Sequence, residues 1–162
     1  MEAPLFPCRR VHLGQPVVDS REIVNKWLES RNNENWVLIS GSALASEIHG
    51  WTALTVLNRN MERGMMKSNS LDGEFIRLLS GTQHIAQGFS RAGLIKGDEY
   101  AWVVDLSANN QQSDFVNQAE LMGFDLLDDR PCDSLFDAKR LGIETGDGED
   151  VAIGHIHLAD IN

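Results

Sequence analysis

The sequence predicts an α/β (α+β) fold: a single domain with a central mixed or antiparallel sheet flanked by helices. Tyr100–Leu106, YAWVVDL, is a near-continuous apolar run of strand length, which reads as a strand buried on both faces. Trp36-Val37-Leu38-Ile39 is a second such run and ends at the turn residues Ser40-Gly41-Ser42. Between and after these strands, apolar residues recur at helical rather than alternating spacing.

Taken in order, Pro4, Pro7 and Gly14-Gln15-Pro16 punctuate an N-terminal arm with a short strand around Val11–Leu13. Asp19 or Ser20 caps a helix over Glu22–Ser30 that buries Ile23, Val24, Trp27 and Leu28. Asn32, Asn33 and Asn35 break it before the first apolar strand. A longer helix occupies Ser46–Arg63, or begins at Leu44, although Gly50 weakens it locally. Gly64–Asn69 is a joint.

Leu71–Gly93 then holds two short helices hinged at one glycine. Phe75, Ile76, Leu78 and Leu79 form the stripe of the first, with Arg77 directed away. Ile85, Ala86 and Phe89 mark the second, which stops at Gly93, placed for a left-handed cap. Gly81 turns the chain between them, and Thr82 caps the second helix.

After the Tyr100–Leu106 strand the chain turns at Asn109–Gln112. Ser113 or Asp114 caps a helix with Phe115, Val116, Ala119 and Met122 inside, and Phe124–Leu127 is a weak strand. Asp133–Leu141 is a short helix, and the acidic loop Glu144–Asp150 leads into a strand at Val151–Leu158.

Composition narrows the function. At 162 residues and 42% hydrophobic, the chain buries a real core without staples. No apolar run reaches the roughly 20 residues of a membrane span. The N-terminus lacks the basic-then-apolar order of a secretory signal, and Cys8 and Cys132 fit a reducing, cytoplasmic setting. Residues 1–97 carry 11 Lys/Arg against 9 Asp/Glu, a net of +2, and residues 98–162 carry 3 against 15, a net of −12. Indiscriminate nucleic-acid binding is therefore not expected, but a local basic face on the first part is compatible with this balance.

Catalytic spacing is absent: no GxSxG, HExxH, P-loop or GxGxxG occurs, and no cofactor is implied. His155 and His157, two apart on the expected final strand, leave by one face and could seat a metal with Asp160, but a solvated strand face is the plainer reading. The loop ETGDGED offers Asp147, Glu149 and Asp150 without the order of a calcium loop. Arg130 precedes Cys132 closely enough to lower its pKa, but structural burial is the plainer reading. Glu74, beside an apolar stripe, needs a capping or arginine partner if enclosed.

The chain resembles the small kinase-binding subunit family of the KEOPS complex. The resemblance rests on His49, Lys67-Ser68, Glu74-Phe75-Ile76, Ser80-Gly81-Thr82-Gln83-His84-Ile85, Ala86–Phe89 and Gly93, and on the strand at Tyr100–Leu106. It implies an α/β fold without catalytic activity, docking on the N-terminal lobe of a small atypical kinase. The assembly installs threonylcarbamoyl on a tRNA adenosine, and contact with the tRNA 3′ end is a second expectation. Where the family carries Arg-Gln this chain has Gln83-His84, which removes one cationic fork.

On this reading Met61, Met65, Lys67, Arg77, Gln83, His84 and Arg91 are the candidates for partner or RNA contact, with Arg59 and Arg63 as further cations. Met66, Ile85 and Phe89 are additional candidates for an apolar docking face, and Glu74, Gly81 and Gly93 are structural. Two other classes stay open. A metal- or small-molecule-binding enzyme would gather Glu74, His84, His49 or the His155/His157 pair in one pocket, and a self-associating structural protein would use the apolar face for a dimer.

Overall fold

A computed structural model of the chain describes residues 4–109 and 112–160. Its four described strands are β1 (Cys8–His12), β2 (Trp36–Ser40), β3 (Tyr100–Asp105) and β4 (Asp125–Leu126), all paired antiparallel in the order β2-β3-β1-β4. Six α-helices flank the sheet: α1 (Ser20–Ser30), α2 (Glu47–Glu62), α3 (Leu71–Leu79), α4 (Ile85–Ala92), α5 (Gln112–Met122) and α6 (Glu149–Asp160). The fold is thus mixed α/β with an antiparallel sheet.

β3 shows why its apolar run is almost unbroken. Trp102 and Val104 enter a core built with α2, α3 and α6, while Ala101 and Val103 enter a second core built with α1 and α5. Both cores need apolar side chains, so alternation disappears. Phe6, Leu57, Phe75, Leu79 and Ile156 fill the first core; Val11, Trp27, Trp36 and Phe115 fill the second.

Local chemistry sets the helix starts. The Asp19 carboxylate accepts the Arg21 N–H at the start of α1. Ser46 and Ser70 do the same for α2 and α3, accepting from His49 and Gly73. Along α1, Trp27 is buried but Leu28 stays 43% exposed, so the expected stripe is narrower than its sequence suggests.

Several expectations are corrected. Val151–Leu158 is helical, not extended. Ala152, His155, Ile156 and Ala159 are the buried residues of α6, at i, i+3, i+4 and i+7, and Glu149 and Asp150 sit favourably in its first turn. The short alternation around His155-Ile156-His157 imitates a strand only locally. Asp133–Leu141 forms one 3₁₀ turn at Asp133–Leu135 rather than a helix. Ser113 and Asp114 lie inside the first turn of α5, and part of the Asn109–Gln112 turn falls outside the described residues. The first strand starts earlier than expected, at Cys8, because Cys8–His12 pairs along all of β3 from Val104 to Tyr100.

Candidate partner-binding site

The helical pair α3–α4 is organised by a buried charge. Glu74 is fully buried and Arg77 almost so, although its place between apolar neighbours suggested that Arg77 points away. Arg77 donates Nε to Glu74 Oε1 at 3.0 Å and Nη2 to Oε2 at 2.8 Å. The carboxylate also accepts from Asn60 Nδ2 at 3.3 Å and from the N–H groups of Lys67 and Ser68, each at 3.2 Å. Arg77 Nη1 reaches the Thr82 carbonyl at 3.1 Å and the Ala159 carbonyl of α6 at 2.7 Å. Both charges are therefore satisfied, as burial requires. Burial would raise the Glu74 pKa, but the hydrogen bonds and charge of Arg77, with those of Asn60 and Ser68, hold it below the ordinary value. Glu74 has an arginine partner, as expected, but on its own helix.

That pair fixes the joint, the hinge and α6 together. Gly81 has φ of +64°, so the tight-turn reading holds. The α4 N-cap position is His84, whose side chain makes no capping bond; Thr82 Oγ1 accepts the His84 N–H at 3.1 Å instead of capping the helix directly. Gly93 ends α4 at φ −80°, ψ 179°, not in a left-handed cap. Its requirement is space, because a Cβ would lie 2.6 Å from the Phe89 carbonyl oxygen.

The candidate contact residues divide sharply. Lys67, Gln83 and His84 are exposed, and Lys67 Nζ donates to Gln83 Oε1 at 2.6 Å. Met61 and Met65 are 48% and 45% exposed beside this joint. Arg91 caps α3 by donating Nη1 to the Ser80 carbonyl at 2.7 Å, and Arg59 pairs with Asp160. Arg77 is buried, so it is corrected from a surface contact to a structural residue. Arg63, by contrast, is exposed. On α4, Phe89 is 38% exposed and Ile85 half-buried, whereas the α3 stripe of Phe75, Ile76, Leu78 and Leu79 is enclosed.

The histidines do not converge. His155 is buried, its Nε2 2.6 Å from the Leu141 carbonyl, and His157 is exposed on another face of α6. His49 is fully buried; its Nδ1 accepts the Ala45 N–H at 3.0 Å, which places the ring proton on Nε2, an atom with no partner among the described residues. Burial first, and the nearby His155 second, press its pKa down to about 3. Among the described residues no three His, Cys, Asp or Glu side chains are placed to hold a metal ion, and no helix is long and apolar enough to cross a membrane.

Sequence reasoning set Arg130 beside Cys132 and missed its distant partners. Arg130 forks onto Glu47 at 2.6 and 2.9 Å, while also donating to the carbonyls of Cys8 and Phe6, and Cys132 is exposed. Burial pushes the Cys8 thiol up to about 12 against the lowering charge of Arg130. Nothing in the local spacing of residue 130 names partners more than 80 positions away.

The described structure thus combines a four-stranded antiparallel sheet, a helical pair clamped by an internal ion pair and exposed apolar residues beside that pair. The chain belongs to the CGI-121 kinase-binding-protein family, whose description matches over residues 15–141. No curated protein matches the chain. Membership supports an accessory role in the KEOPS complex, and family proteins are typically non-catalytic.

Proposed function

We propose that this chain is the accessory subunit that docks on the small atypical kinase of KEOPS and supports threonylcarbamoyladenosine formation on tRNA in the cytoplasm. The family match across residues 15–141 is the observation that carries the reading. The geometry agrees with a positioning role. Glu74 and Arg77 are spent on each other, and Cys8 is held as a thiol, so the groups best placed for chemistry stabilise the scaffold. Exposed Met61, Met65 and Phe89 supply apolar surface beyond what the cores use.

The tRNA contact belongs to the joint. Lys67, Gln83 and His84 gather there, with Arg63 at the end of α2. Each contact is weak alone, but held beside the kinase they raise tRNA occupancy through effective concentration. The deciding experiment mixes the purified chain with its cognate small kinase in size exclusion and calorimetry. A 1:1 complex is expected; two separate peaks and no heat would overturn the reading.

A further inference from the structure

β2 lies at the end of the sheet, and its outer edge pairs with no strand among the described residues. The bonds from Leu106 N–H to the Asn35 carbonyl (2.8 Å) and from Gly41 N–H to the Tyr100 carbonyl (3.1 Å) set the phase of the β2–β3 ladder. Alternation then turns the backbone groups of Val37 and Ile39 towards β3, and those of Trp36, Leu38 and Ser40 outward. Trp36 uses its N–H on the Asn33 carbonyl and its carbonyl on Arg31 Nη1, and the Ser40 carbonyl accepts from Ala43. The N–H and carbonyl of Leu38 have no partner among the described residues.

That open position lines a groove of about 260 Å³ between α1 and the α3–α4 pair. Val24, Trp27 and Leu28 form one wall, Ile76 and Phe89 the other. Leu28 and Phe89 stay 43% and 38% exposed, and the buried Trp27 indole N–H has no partner among the described residues. A donor and an acceptor on one strand residue, framed by apolar walls, are complementary to an extended polypeptide and not to a phosphate chain. Among the described residues the charged ones lining the groove are Arg21 and Asp72, and Asp72 is paired with Arg31 at 3.7 Å.

We propose that an extended, apolar segment of the partner kinase adds to β2 at Leu38 within this groove. The proposal rests on the kinase-binding reading above. The full chain and its cognate kinase are compared free and bound by amide hydrogen exchange resolved at Leu38. Exchange at Leu38 slows about tenfold or more in the complex, and Leu28→Asp and Phe89→Asp each weaken kinase binding about tenfold. Both residues are exposed, so the thermal midpoint of the free variants stays close to that of the parent. A complex that forms with Leu38 exchange unchanged, and with both variants binding normally, overturns the groove assignment and leaves kinase docking standing. Protection of Leu38 that grows with concentration of the chain alone assigns the groove to self-pairing and also overturns it. Failure to form any complex removes the kinase reading and this inference with it.

Discussion

A Cβ on Gly81 would lie only 2.3 Å from Nε2 of the His155 imidazole ring. The turn between α3 and α4 is therefore fixed twice, by a backbone angle that side chains avoid and by a ring delivered from α6. Gly81→Ala meets both costs: about 1 kcal/mol for the positive φ and about 1–3 kcal/mol for overpacking. Urea unfolding should show a loss of about 2 kcal/mol or more. Adding His155→Ala should recover part of it, because the steric share disappears while the backbone share remains. Equal stability of Gly81→Ala and the parent would reject the arrangement.

Breaking the Glu74–Arg77 pair leaves one buried charge alone. Arg77→Met and Glu74→Gln should each cost about 3–5 kcal/mol, and the double replacement Glu74→Leu with Arg77→Met should cost less than their sum. The pH dependence has a definite sign. The Glu74 pKa is depressed on folding, so its stabilisation is fully present above the unfolded carboxylate value and fades as pH falls through the folded one. Denaturant midpoints from pH 7 downward should fall more steeply for the parent than for Glu74→Gln. Parallel curves would show that the pair does not carry this linkage.

The two cysteines should behave oppositely towards alkylating reagents. Cys132 is exposed, while Cys8 is buried with its pKa pushed up to about 12. At pH 8, native protein should be modified once and urea-unfolded protein twice, as read by intact mass. Rapid double modification of the native protein would contradict the burial of Cys8.

RNA binding, where present, should follow the joint rather than the whole basic half. Lys67→Ala and Arg63→Ala should weaken binding to single-stranded RNA, each true phosphate contact removed reducing the salt slope by about 0.7. Gln83→Arg should strengthen it by adding a permanent donor fork beside Lys67. Filter binding across a salt series reads all three. Unchanged slopes and an indifferent Gln83→Arg would place the RNA path elsewhere. Arg77→Ala is not a clean RNA probe, since it removes a buried ion-pair partner.

Much of the fold was legible because it depends on local chemistry. β3 announced double burial through YAWVVD, the paired short helices appeared from their stripes, and Gly81 marked the turn between them. What stayed hidden depends on tertiary neighbours. Arg77 looks like a solvated cation until Ala159, 82 residues later, supplies a carbonyl, and Glu74 supplies the countercharge. α6 was misread because His155-Ile156-His157 alternates, whereas the residues that pack are four-residue neighbours. The open edge at Leu38 carries no composition signal, since a central and an edge strand can be equally apolar.

Folding joins the two differently charged stretches of the sequence through ion pairs. Arg9 pairs with Asp128, Arg10 with Asp129 and Arg59 with Asp160, so cations from the first 97 residues are neutralised by acids from the last 65. Glu47 and Arg130 make the reverse exchange. Each of these four pairs ties together residues 83 or more positions apart, so the uneven charge of the sequence becomes a set of ties between its two ends.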